Sequence, residues 1–152
     1  MKLAEALINR ADIQKRLAQV QVRLQRVAKI QEGEQPAEDP NALLAELSEL
    51  VVAYRGLVQR INRTNSVTVV AANKTLTDVL AERDALALER NSLDNLIKAT
   101  VTNDFRYSRT EIRAVVTLDI AALQKRIDGL ARQYRELDTS IQQLNWSVEL
   151  VD

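Results

Sequence analysis

LTDVLAERDALALERNSLDNLI, residues 76–97, is the stretch from which the whole chain can be read. Its apolar positions follow helical spacing, yet Arg83 and Arg90 fall on the same stripe. Two arginines on an inward stripe mark either a binding site or a lock on packing register. As a site, they would hold a carboxylate or phosphate between subunits, with Asn62 and Asn65 at one end. As a lock, they form a polar layer between helices, with Glu82 and Glu89 on the flank and Asp94 four residues after Arg90. A polar residue on a seam fixes register and oligomer state at some cost in stability, and the structural reading is preferred.

Outward from this stretch the chain keeps helical character. Of 152 residues, 46% are hydrophobic but only 3% aromatic, so the core must be aliphatic. With three Gly and two Pro there is little punctuation for a turn-rich fold. A first helix is expected over residues 2–31, with a seam of Leu3, Ala6, Arg10, Ile13, Leu17, Val20, Leu24 and Val27 in steps of three and four. At 1.5 Å per residue it would be roughly 45 Å long, which favours an elongated shape. EGEQPAEDP (32–40) breaks it, and Asp39 before Pro40 is a start signal for a second helix over 40–63. The third helix spans about 76–99, with Thr75 and Asp78 resembling a capping box. The fourth spans about 119–146, capped by Asp119, with the seam Leu123, Ile127, Leu130, Tyr134, Leu137, Ile141 and Leu144. Gly129 inside it suggests a close helix approach.

Two joints interrupt the helices. Residues 62–74 are rich in β-branched side chains and read as non-helical, with 67–70 as a short strand. Residues 112–118 alternate as a half-buried strand does and are its expected partner. The fold class is therefore all-α: four long helices in elongated, coiled-coil-like hairpins, in a single domain 1–152, with short β segments in the joints.

Formal charge is zero, with 21 basic and 21 acidic residues, which speaks against a strongly basic nucleic-acid binder. The charges are unevenly placed. Residues 1–31 carry Lys2, Arg10, Lys15, Arg16, Arg23, Arg26 and Lys29, whereas residues 32–54 carry six acids and no base. Antiparallel pairing of the two segments, within or between chains, is the expected cause.

At this point four blocks stand out: INRTN (61–65), LTDVLAERDAL (76–86), RYSRTEI (106–112) and YRELDTSIQQLNW (134–146). In this order they resemble the signature of a small, largely uncharacterised bacterial family, some of whose members are named septicolysin. The resemblance implies a helical, coiled-coil-like protein that forms homo-oligomers, and the name implies pore formation. SVTVVAANK (66–74) departs from the pattern, where a shorter Gly-containing turn would fit.

Catalytic chemistry finds little to work with. There is no His and no Cys, which removes Ser–His triads, thiol catalysis and the usual zinc ligands. Glu46 and Glu49 form an ExxE pair like the one that opens the metal site of helical nucleotide pyrophosphohydrolases. Glu82, Asp84, Glu89 and Asp94 are wrongly spaced to complete it. Tyr107, Arg109 and Arg113 read as joint packing. The basic flank of the first helix could lie on a membrane interface, though its seam is more economically bundle core. The expectation is a non-enzymatic, homo-oligomeric protein with a structural or interaction role, its partner being itself, with no cofactor, metal or nucleic acid. A septicolysin-like pore former, the one reading that needs a membrane, and a carboxylate–metal nucleotide phosphohydrolase are the alternatives. With no signal peptide and no run of about 18 apolar residues, a cytoplasmic location is expected, or export by a signal-less route.

Overall fold

The computed structural model describes residues 1–101 and 114–152. Within them lie helices α1 (Leu3–Val27), α2 (Pro40–Val67), α3 (Leu76–Val101) and α4 (Ile120–Ser147), with strands β1 (Val69–Ala71) and β2 (Lys74–Thr75) between α2 and α3. The expected all-α class with a short β element is the architecture observed. Packing divides the described chain into two compact units, residues 1–77 with 142–152, and residues 78–141.

In the first unit, α1 and α2 form an antiparallel hairpin. Gln14 meets Tyr54 at 3.3 Å and Arg23 meets Glu46 at 3.2 Å, so sequence numbers rise on one helix as they fall on the other. Val20 and Val27 of α1 are buried, as are Leu43, Leu50 and Ile61 of α2. One base of the basic segment, Arg23, meets the acidic segment within the chain. Arg23 binds Glu38 through Nε at 3.0 and 3.1 Å to its two carboxylate oxygens, and through Nη2 as well. Returning Glu38 to Arg23 requires the chain to leave the helix early, so α1 ends at Val27 rather than near residue 31. The turn passes through Gly33 at φ 88°, a left-handed conformation that glycine adopts without a Cβ penalty. Asp39 then caps α2 as expected, accepting the Asn41 N–H at 2.9 Å, with Pro40 in the first turn.

The expected joint at residue 62 is helix instead. α2 continues to Val67 because Ile61 and Thr64 lie on its buried stripe, and burial outweighs the reluctance of β-branched residues. The Thr64 hydroxyl donates to the Arg60 carbonyl at 2.8 Å and accepts the Val151 N–H at 2.9 Å, so the buried group is satisfied twice. The short strand is real but pairs locally. Val69 sits opposite Thr75 and Ala71 opposite Lys74, an antiparallel hairpin turning at Asn73 with φ 61°. Residues 114–118, in the expected partner segment, carry no strand, and 112–113 lie outside the described residues.

The chain's last turn returns to its first. Lys2 and Glu149 form an antiparallel bridge, the Leu3 N–H donates to Val148 at 2.9 Å, and the Leu150 N–H donates to Met1 at 2.9 Å. Leu150 is buried there.

In the second unit, α3 and α4 also run antiparallel, since Arg83 reaches Asp138 while Glu89 reaches Arg126. Ile127, Leu130 and Ile141 are buried along the expected α4 seam. Asp119 caps α4, accepting the Ala122 N–H at 3.0 Å. Gly129 does not mark a close approach, because a Cβ added there would meet no atom within 4 Å.

Candidate functional site

Arg83 and Arg90 are one to two turns into and midway along α3, seven residues apart and therefore on one side of the helix. Arg83 is largely buried, its side chain 23% exposed. Its Nη1 donates to Asp138 Oδ1 at 3.2 Å, and its Nε and Nη2 donate to Asp84 Oδ1 at 3.1 and 2.9 Å. Burial is the largest single influence on this guanidinium and works against its charge. The hydrogen bonds to Asp84 and Asp138 outweigh it and hold the pKa above the ordinary arginine value. Arg90 lies over the Tyr134 ring, 5.7 Å from its centroid, a cation–π arrangement.

Two of the three acids expected to neutralise this layer are engaged by other bases. Glu89 is taken by Arg126 and Asp94 by Lys98, at 2.6 Å for the latter pair. Asp138 is supplied by α4 and was not picked out by the α3 pattern. Its signal in the sequence was its place beside the uncharged α4 seam, four residues after Tyr134.

Asn62 is exposed and Asn65 half-buried in the last turns of α2. They belong to the first compact unit and the two arginines to the second, so neither unit contains the four residues together. Tyr107, Arg109 and Arg113 lie outside the described residues. Glu46 accepts from Arg23 at 3.2 Å and Glu49 is exposed, so the ExxE pair is divided between an ion pair and solvent. Among the described residues no group of three or more Asp or Glu could hold a metal ion.

What α3 and α4 carry is thus a polar layer whose cations are matched within the chain, flanked by aliphatic residues. Residues 10–150 match the profile described as "Family of unknown function (DUF6847)". The chain belongs to that family. A DUF6847 chain with this fold is also similar to a solved protein at 46% sequence identity, with a TM-score of 0.90 and coverage of 99% of both chains. That structure is described as the crystal structure of a functionally unknown conserved protein from Corynebacterium diphtheriae. The family description carries no septicolysin name. Among curated proteins no match is found. No described helix is long and apolar enough to cross a membrane.

Proposed function

We propose that this DUF6847 protein is a self-associating helical protein whose role is structural or interaction-based rather than catalytic. The observation that carries the reading is a second seam on α3. On the side away from Arg83 and Arg90, the residues Ala81, Ala85, Leu88, Ser92, Asn95 and Ala99 follow steps of four and three without a charge. All six are exposed, and Leu88 in the middle is 70% exposed. A sustained heptad seam is what one helix presents to another.

A second copy running antiparallel fits this seam. Centred near residue 90, it sets Leu88 of one copy against Ser92 of the other, large against small, and Ala81 against Ala99. The same register brings Asp84 towards Lys98 of the second copy at both ends, an attraction that selects orientation more than affinity. Sedimentation velocity at micromolar concentration tests the reading. Wild-type protein should sediment as a multimer, and Leu88→Glu should reduce its order; a wild-type monomer would sink the proposal.

A septicolysin-like membrane activity is the second reading. It draws on the outward side of α1, where exposed Ile8 and Val22 share a flank with Lys15 and Arg26. Dye release from anionic liposomes tests it, and intact vesicles at saturating protein would remove it.

A further inference from the structure

A groove runs between α1 and α2 on the side where the chain's last residues meet α2. Ile13, Val52, Gly56 and Leu57 make its floor, and Arg60 and Arg16 stand at its two ends. The register of the hairpin fixes their spacing. Gln14 faces Tyr54 and Arg23 faces Glu46, so Arg60 lies opposite residues 8–9 of α1 and Arg16 opposite residues 52–53 of α2. The two cations are therefore about seven residues, or roughly 10 Å, apart along the helix axes.

The charges at the two ends differ in what they already hold. Arg60 Nη2 donates to the Asp152 carboxylate at 2.6 Å, although that aspartate is fully exposed, and Arg60 Nε donates to the Val151 carbonyl at 3.2 Å. Arg16 forms no ion pair among the described residues. Asp12, the one acid lining the groove, is met by Lys15 at 3.6 Å. In the floor, Gly56 leaves open the space that a side chain would fill, since a Cβ there would meet no atom within 4 Å.

We propose that this groove takes an acidic amphipathic helix of another protein. A helix returns to the same face after seven residues, so carboxylates at i and i+7 match Arg60 and Arg16. Apolar residues at i+3 and i+4 then fall on the aliphatic floor between them, with Gly56 admitting the larger of the two. The incoming carboxylate displaces Asp152 from Arg60, while the Val151 N–H stays on Thr64. The ion pairs at the ends set register and orientation more than affinity, which the floor supplies. A nucleic acid would meet apolar residues and Asp12 where it needs a run of cations. A second copy of this chain is poorly equipped for the groove. In its described helices the acid pairs seven residues apart are Glu5 with Asp12 and Glu82 with Glu89. Glu5 is spent on the Lys2 N–H at 2.7 Å, and Glu89 is spent on Arg126.

Fluorescence anisotropy on the full chain tests the proposal. The probe is a fluorescein-labelled, alanine-based helix of roughly 18 residues, with leucines at i+3 and i+4 between glutamates at i and i+7. One control peptide has lysines for the glutamates, and another has the second glutamate moved to the opposite face. Saturable binding is expected for the probe and not for the controls. Arg16→Glu should weaken it by about fivefold, the size of an exposed ion pair. Gly56→Leu, which fills the floor, should weaken it too, and Asp152→Asn, which releases Arg60, should tighten it. Circular dichroism verifies that the variants keep wild-type helicity. Leu88→Glu should leave binding unchanged, which separates this groove from self-association through α3. No saturable binding, equal binding of the lysine peptide, or wild-type affinity in both Arg16→Glu and Gly56→Leu would overturn the proposal.

Discussion

Arg83 of α3 and Asp138 of α4 are joined at 3.2 Å across the helix pair, while the same guanidinium holds Asp84 on its own helix. The seam arginine is thus committed inside the chain. Removing it strands a carboxylate that is only 33% exposed. Arg83→Met should therefore destabilise the protein by about 1–3 kcal/mol, the cost of leaving a part-buried charge without its partner. Adding Asp138→Leu should recover most of that loss, because a matched apolar pair is often no worse than the ion pair it replaces. A double-mutant cycle from urea unfolding measures the coupling; a value under about 0.5 kcal/mol would mean that the two residues act independently.

Glu38 ties the connecting turn to α1 and predicts a pH response. The hydrogen bond from Arg23 is the main cause that holds its carboxyl below the ordinary glutamate range, against the opposing effect of desolvation. The folded pKa is therefore lower than the unfolded one, which is near 4.3. Stability from this contact is fully present above that value and is lost as pH falls through the folded pKa. Glu149, held by Lys2 and the chain's amino group, acts in the same sense. Wild type should lose stability below about pH 4.3, and Glu38→Gln should lose less over the same range. Denaturant midpoints collected from pH 7 downward check this, and parallel curves for the two proteins would contradict it.

How much of this was legible in the sequence differs by element. The α4 seam, the Asp39–Pro40 start and the Asp119 cap came directly from local chemistry, because caps and periodicity act within a few residues. The end of α2 did not. Thr64 reads as a β-branched residue unsuited to a helix, and only the Val151 N–H, 87 residues away, shows why it is kept buried there. The polar layer was half visible. Arg83 and Arg90 stand out on α3, but their partners Asp138 and Tyr134 lie on another helix. Spacing along one helix cannot assign contacts across two. Asn62 and Asn65 were grouped with the arginines by their nearness to α3 in sequence, and they belong to the other compact unit.

Asn73 turns the β1–β2 hairpin at φ 61°, which Asn and Gly tolerate and β-branched residues resist. Asn73→Val should cost about 1–2 kcal/mol, whereas Asn73→Gly should be close to neutral. The contrast between the two in thermal unfolding is the readout. Equal losses for both would point to the asparagine side chain rather than the backbone.

Gly129 gives the last and simplest expectation. It sits inside α4, exposed, with no atom within 4 Å of where a Cβ would be. Glycine in a helix interior costs about 1 kcal/mol relative to alanine, through backbone entropy in the unfolded chain. Nothing described in the structure offsets that cost. Gly129→Ala should therefore raise stability by about 0.5–1 kcal/mol in urea unfolding of the whole chain. A loss instead would show that another surface approaches α4 at this point in the assembled protein, and the same variant measured by native mass spectrometry would then show a smaller assembly.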